Sequence, residues 1–184
     1  MRKVLLSMMV TLDGYYAGPN DEIDWHTVGG EFNDYAIAML DSLDTLIFGR
    51  ATYVGMASYW PTPAALKNDP IVARKMNDLF KIVFSRTLEK VEWQNSRLVK
   101  EVNPQDILKM KEQPGKDIAI FGSGDLVTTF AQLGLIDDYR ILINPVALGS
   151  GKPLFQGIKD RLHLKFVGTK TFKTGLVLLQ YQPV

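Results

Sequence analysis

A chain of 184 residues, 46% hydrophobic and 22% charged, is long enough for one well-buried core and short for two, so a single domain over 1–184 is expected. A formal net charge of +1 gives no bulk attraction to nucleic acid or an acidic membrane, so any anion site has to be local. The absence of cysteine excludes disulfides and thiolate chemistry and is compatible with a reducing cytoplasm; two histidines, His26 and His163, make a His-rich metal site unexpected.

Residues 1–10 have the basic-then-apolar outline of a signal peptide, but the run is short and Asp13-Gly14-Tyr15 follows with no small-residue cleavage pattern. They read as a first core strand. No other segment has the apolar length of a membrane span, so a soluble protein is expected. Residues 11–30 form a long loop broken by Gly14, Gly18, Pro19 and Gly29-Gly30, and loops this long are usually functional or mobile. Over 31–42 the spacing of Phe32, Tyr35, Ala36, Met39 and Leu40 predicts an amphipathic helix. A strand at 45–48 ends in Gly49-Arg50-Ala51-Thr52-Tyr53. Residues 56–70, rich in aromatics and prolines, read as an irregular excursion, followed by a helix over 71–79.

A third strand, 81–84, closes in Ser85-Arg86-Thr87, and a short one lies near 97–99. Asn103-Pro104 gives the next helix a side-chain cap and a first-turn proline. Asp117-Ile-Ala-Ile-Phe121 then reads as a buried strand, and Gly122-Ser123-Gly124-Asp125-Leu126 as the turn into a helix whose apolar face carries Leu126, Val127, Phe130 and Leu133. A strong strand at 136–146, a glycine-containing loop at 148–153 and a hairpin of 164–172 with 176–181 complete the chain. The alternation of strand and helix implies an α/β fold: a largely parallel sheet with helices on both faces.

In such a sheet, ligands sit beyond the carboxyl ends of the strands. If the strands ending in Gly49-Arg50, Ser85-Arg86-Thr87 and Gly122-Ser123-Gly124 are parallel, all three turns share one edge. Backbone N–H groups at the glycine turn suit a pyrophosphate, and guanidinium and hydroxyl groups suit an additional 2′-phosphate, which points to NADPH. A Gly-x-Gly turn also serves any tight connection, and arginines after strands are commonly just solvated. Val127 stands where the Rossmann fingerprint has its third glycine, and Pro153 where a phosphate loop needs Ser or Thr.

The ordered set Thr11-Leu-Asp-Gly14, Gly49-Arg-Ala-Thr-Tyr53, Ser85-Arg86-Thr87, Phe121-Gly-Ser-Gly-Asp-Leu126 and Asn144-Pro-Val-Ala-Leu-Gly-Ser-Gly-Lys-Pro153 resembles the dihydrofolate reductase-like superfamily. Within it, the chain resembles the branch named after the C-terminal reductase domain of the bifunctional riboflavin biosynthesis protein. The resemblance covers nearly the whole chain. It implies a three-layer fold with a mostly parallel central sheet and a C-terminal antiparallel hairpin, NADPH as hydride donor, a small-molecule substrate and often a homodimer. Carried over by position, it implies cofactor contacts from Gly49, Arg50 and Thr52, from Ser85, Arg86 and Thr87, and from Gly122, Ser123, Gly124, Asp125 and Leu126. Met9 and Trp25 fall where the family meets the nicotinamide end.

The riboflavin-pathway reductases usually carry a glutamate immediately before the glycine turn, where this chain has Phe121, and residues 56–63 are aromatic where a basic ribose-phosphate contact is expected. A phosphoribosyl pyrimidine is thereby poorly supported. For the proton, Asp34 and Glu31 near the first helix start and Asp13 on the preceding loop are the candidate carboxylates, with solvated first-turn acids or water as the alternative. Tyr53, Tyr59 and Trp60, like Trp25, are candidates for stacking a flat substrate, or equally for pinning the loops around them. The residues point to NADPH, and the resemblance implies a reductase of a pterin-, folate- or pyrimidinone-like substrate. A non-catalytic nucleotide-binding or dimerisation module of the same fold is the other reading.

Overall fold

The computed structural model describes residues 1–184. In chain order its elements are β1 (Val4–Thr11), β2 (Tyr15–Ala17), α1 (Gly30–Asp41), β3 (Leu43–Gly49), α2 (Arg50–Tyr59), α3 (Pro63–Asn68), α4 (Pro70–Asp78), β4 (Phe80–Phe84), β5 (Ser96–Val99), α5 (Pro104–Glu112), β6 (Asp117–Ile120), α6 (Gly124–Gln132), β7 (Asp138–Asn144), β8 (Lys152–Pro153), β9 (Leu164–Thr171) and β10 (Val177–Pro183). One sheet of eight strands runs in the order β5-β4-β3-β6-β1-β7-β10-β9. Strands β5 through β7 in that order are parallel, and β10 and β9 are added antiparallel.

The apolar runs follow from where each strand sits. β1 is central and covered on both faces, so its residues are apolar without alternation. Val4, Leu6 and Met8 face one core with Ile118, Ile120, Val127 and Phe130, while Leu5 faces the other with Met39, Leu40, Leu46, Phe48 and Ala119. This is the two-residue alternation of a strand expressed as two separate cores. A third cluster, Leu142, Phe172, Leu176 and Leu178, lies on the α1 side of the antiparallel strands.

Two departures from the sequence reading have physical causes. Residues 50–70 are helical: α2 follows β3 without a loop, and Pro63 and Pro70 open α3 and α4 instead of breaking them. A missing N–H costs nothing in the first turn, and the Thr62 and Asp69 side chains accept from Ala65 N and Val72 N at 3.2 and 3.3 Å. The loop 11–30 also contains β2, which pairs antiparallel with β8 in a ladder too short for alternation to announce.

Ion pairs tie the amino-terminal edge of the sheet. Arg2 pairs with Asp44 at the start of β3, and the Lys111 Nζ meets Asp137 at 2.8 Å while Val4 N–H donates to the other Asp137 oxygen at 2.8 Å. The opposite edge carries the site.

Candidate active site

The carboxyl ends of β4, β3 and β6 are neighbours, so their turns form one rim. Gly49 pairs with Phe84, the last residue before Ser85, and Gly49 N–H donates to Gly122 O at 2.8 Å. With about 4.8 Å between strands, the turns span about 10 Å, the reach of a diphosphate with its sugar. The contact is close because side chains are missing. A Cβ at Gly49 would lie 2.4 Å from Ser123 Oγ, and one at Gly122, where φ is +120°, 2.7 Å from Thr52 Oγ1. The Gly122–Ser123 peptide is cis.

Two helices start on this rim, and neither Gly49 at α2 nor Ser123 at α6 makes a side-chain cap bond. Elsewhere α3, α4 and α5 are capped by Thr62, Asp69 and Asn103, while α1, like α2, starts at a glycine without a side-chain cap. Uncapped first-turn N–H groups at the positive ends of two helices are donors that can receive an anion. Arg50 and Arg86 flank them, both exposed and neither in an ion pair. Chemically, the rim can bind one diphosphate and a further phosphate beside it.

A family model described as the RibD C-terminal domain matches residues 2–178. The chain belongs to the RibD C-terminal domain family. Bacillus subtilis (strain 168) uncharacterized protein YyaP is 38% identical over 186 residues, covering 98% of this chain and 94% of its own. A solved putative riboflavin biosynthesis protein from Shewanella sp. PV-4 superposes with a TM-score of 0.77 at 23% identity, covering 100% of this chain and 99% of that one. Enterococcus faecalis dihydrofolate reductase, solved with NADP(H), superposes at 0.66 with 15% identity, covering 98% and 96%. The fold is dihydrofolate reductase-like, with a mostly parallel sheet and an antiparallel hairpin, and these relationships support a reductase of the riboflavin or folate type.

Against this RibD-type frame, the sequence-predicted residues separate. Gly49, Arg50, Thr52, Arg86, Thr87, Gly122, Ser123, Gly124 and Asp125 gather on the rim, Asp125 as the exposed first-turn acid of α6. Leu126 lies beside them, but its side chain is buried in the core and only its backbone faces the turn. The Ser85 hydroxyl is already engaged: it accepts from Thr87 N at 3.2 Å and Leu88 N at 3.0 Å, shaping the turn that carries Arg86. Met9, near the end of β1, is half-buried against the third cluster, and Trp25 donates its Nε1–H to Glu22 O at 3.0 Å and packs edge-on to His26.

The predicted substrate aromatics are elsewhere. Tyr53 is buried and its hydroxyl accepts from Glu92 N and Trp93 N, both at 3.1 Å, so it holds the loop before β5. Tyr59 and Trp60 pack on each other at the far end of α2, about 15 Å along the helix from Arg50 at 1.5 Å per residue. A hollow of about 1060 Å³ opens on that outer side of α2 and shares only Thr87 with the rim. Its charged lining, Arg74, Asp78, Glu89, Lys90 and Glu92, mixes both signs and gathers no set of donors.

Two of the three predicted acids are engaged within the chain, and the third faces solvent. Asp34 is exposed on α1 with no hydrogen-bond partner, and Glu31 accepts from Lys173 N at 2.8 Å, fastening α1 to the β9–β10 turn. Asp13 accepts from the Thr11 hydroxyl at 2.5 Å, Gly149 N at 2.7 Å and Leu148 N at 3.2 Å. The Thr11 hydroxyl first, and then the Gly149 N–H, hold its carboxyl below the usual range, so it is an ionised loop pin with no proton to donate.

The sequence reading missed Tyr16, Lys152 and Asn144. The β2–β8 ladder brings Tyr16 and Lys152 to the glycine turn, and a Cβ at Gly124 would lie 2.3 Å from the Tyr16 ring. Buried Asn144 accepts from Thr27 N at 2.7 Å and donates to Val10 O at 3.2 Å, locking the loop with Trp25 and His26 onto the ends of β1 and β7. The Asn144-Pro145 step after an apolar run was the one signal available for it.

Proposed function

We propose that the chain is an NADPH-dependent reductase of a small, flat, nitrogen-containing heterocycle of pterin, folate or pyrimidinone type. The observation that carries the reading is the pair of uncapped helix starts between two unpaired arginines on one rim. The rim suits the coenzyme: glycines at Gly49 and Gly122 let the turns after β3 and β6 close on each other so that their N–H groups share one edge, and no carboxylate stands at Arg50 or Arg86 to favour an unphosphorylated ribose. Arg50, Arg86 and Thr87 would hold the 2′-phosphate, and the N–H groups of 122–126 and 50–52 the diphosphate. Bound NADPH would supply the hydride.

Met9 and Trp25 would face the nicotinamide, and Asn144 keeps the Trp25 loop in place. With Asp13 pinned and Asp34 facing solvent, water is the proton source this geometry favours. Phe121 makes 5-amino-6-(5-phosphoribosylamino)uracil a poorer substrate than a ring without a ribose phosphate. The apolar side chains exposed on the hairpin, Phe166 and Val167, support a second copy of the chain as the partner.

Fluorescence titration with NADPH and NADH tests the cofactor. Arg50→Ala and Arg86→Ala should each weaken NADPH at least tenfold, the scale of one charge-assisted hydrogen bond, and NADH about twofold at most. Equal losses for both cofactors would remove the 2′-phosphate assignment. Oxidation of bound NADPH by a panel of pterins, pyrimidinones and quinones separates a reductase from a binding module; NADPH binding with no oxidant accepted favours the module.

A further inference from the structure

In the middle of a sheet covered on both faces, side chains are buried unless the covering layer has a gap. On the α1 face of β1 such a gap exists. Leu5 is 1% exposed beneath Met39 and Leu40, but Ser7 is 8% exposed, Met9 is half-buried, and Phe121, one residue past the Leu6–Ile120 pairing, is half-buried as well. The cause is the placement of α1, which packs on β3 and α4 and touches the β7–β10 side mainly through Phe32 and Tyr35. Between α1 and the antiparallel strands the cover is thinner, and toward the carboxyl ends of β1 and β6 it leaves a shallow cleft over half-buried Met9 and Phe121.

The floor of this cleft is polar. Ser7 pairs with Arg140, and Arg140 with Gln180, so the three lie in one row on the same face. Asp138, two residues earlier on β7, accepts from Arg140 Nε at 2.9 Å and from Gln180 Nε2 at 3.0 and 3.1 Å, so its charge is already answered. The other two guanidinium nitrogens of Arg140 meet no carboxylate or carbonyl and lie beside the Tyr35 hydroxyl, in a side chain 22% exposed. Above them the Tyr35 hydroxyl is buried with no hydrogen-bond partner, beside the Arg140 guanidinium. Lys170 adds a second cation at the mouth, 4.9 Å from the Phe172 ring centroid and 6.0 Å from that of Tyr35.

The Tyr35 hydroxyl, buried without a partner, carries a free-energy cost, and the partly exposed Arg140 guanidinium next to it and the Ser7 hydroxyl keep donors that an incoming acceptor can meet. We propose that Arg140, Tyr35 and Ser7 form the polar end of the substrate cleft, and that the substrate is a flat ring bearing an ionised oxygen, an enolate or a carboxylate, which these donors receive. This rests on the reductase reading above for the position of the cofactor, but the recognition itself needs only the cleft. An amino edge would set its own N–H groups against a guanidinium and two hydroxyls. With Asp138 answered by Arg140 and Gln180, and Glu31 answered by Lys173 at 3.6 Å, Lys170 leaves one positive charge over at the mouth, which favours an anion. Phe32, Met9 and Leu142 supply the apolar walls for the ring.

Two probes of the same outline test this: 2-hydroxy-1,4-naphthoquinone, an anion at pH 7.5, and neutral 1,4-naphthoquinone, which finds no cysteine to alkylate in this chain. Calorimetric titration is done with and without saturating NADPH. The protein should bind the anion at least tenfold more tightly, Arg140→Met should abolish that preference, Tyr35→Phe should reduce it several-fold, and Arg140→Lys should retain part of it. NADPH affinity should be unchanged in all three variants. Equal affinity for the two quinones, or a preference that survives Arg140→Met, overturns the proposal while leaving the reductase reading intact. Failure of NADPH to bind, with the anion preference present and Arg140-dependent, removes the reductase reading and leaves the anion cleft. Should near-ultraviolet circular dichroism show Arg140→Met to be unfolded, Tyr35→Phe and Arg140→Lys decide by the same preference.

Discussion

The closeness of the rim makes Gly49→Ala a demanding substitution. Its backbone, φ −79° and ψ 169°, is open to any residue, so alanine brings no conformational strain and the whole effect is contact. The new Cβ would lie 2.4 Å from Ser123 Oγ and 3.0 Å from Ser123 N. The hydroxyl can rotate away, but the backbone nitrogen cannot, so β3 and the turn after β6 must separate. Separation stretches the 2.8 Å bond from Gly49 N–H to Gly122 O. Overpacking of about 1–3 kcal/mol and a weakened hydrogen bond of about 1 kcal/mol give a loss of about 2–4 kcal/mol. At about 2.1 cal/mol/K per residue, the unfolding entropy of 184 residues is about 0.39 kcal/mol/K, so Tm should fall by about 5–10 °C. Differential scanning calorimetry measures the fall, with Gly55→Ala as control. Gly55 lies in α2 with nothing within 4 Å of a built Cβ, and alanine there should raise Tm by about 1–3 °C through helix propensity. An unchanged Tm in Gly49→Ala would refute the rim geometry, because no other contact of that Cβ could compensate.

Burial lowers the His26 imidazole from 6.5 to about 4. Between these values the unfolded chain binds the proton that the folded chain refuses, so stability falls as pH drops through that window, by about 2 kcal/mol between pH 7.5 and pH 5. His26→Gln should remove that part of the slope in urea-midpoint titrations, and an unaltered slope would show that His26 is not the buried base. Tyr53→Phe leaves Glu92 N–H and Trp93 N–H without their acceptor and should cost about 1–3 kcal/mol in urea denaturation with NADPH affinity unchanged. A change in turnover without a change in stability would return Tyr53 to the substrate.

The strands were legible because their burial is uniform. Runs such as Leu46-Ile47-Phe48 and Ile118-Ala119-Ile120 have no solvent face to interrupt them, and each ends at a residue that cannot continue a buried strand. The rim was legible for the same reason, since its glycines and arginines stand at those ends. Residues 50–70 were not, because α2 buries only Tyr53 fully and so leaves a faint helical stripe, and its neighbouring prolines look like breakers until their position in a first turn is known. The cleft floor was hidden for another reason. Arg140 and Tyr35 lie far apart in sequence and meet only across a sheet register, and each by itself looks like a surface arginine and a core tyrosine. The Tyr53, Tyr59 and Trp60 reading failed because aromatic content says nothing about the direction of a helix, and α2 carries its far end away from the rim.

The distribution of charge shows which edge of the sheet is built for stability and which for a ligand. At the amino-terminal edge Arg2, Asp44, Lys111 and Asp137 are matched, and the cations among them are nearly buried, so each charge has a partner to offset its desolvation. At the carboxyl edge Arg50 and Arg86 remain in water, where they lose no solvation and gain no partner. The helix starts add to this: Thr62, Asp69 and Asn103 cap α3, α4 and α5, α1 and α2 begin at glycines that have no side chain to cap with, and α6 is left open although it begins at Ser123. A chain selected for folding alone would gain about 1 kcal/mol from a cap at each open end, and Ser123 already supplies a capping side chain that is not used as one. Leaving the α6 donors free beside an unused Ser123 hydroxyl, while Thr62, Asp69 and Asn103 all make their bonds, is accounted for by an anion that arrives from outside the chain.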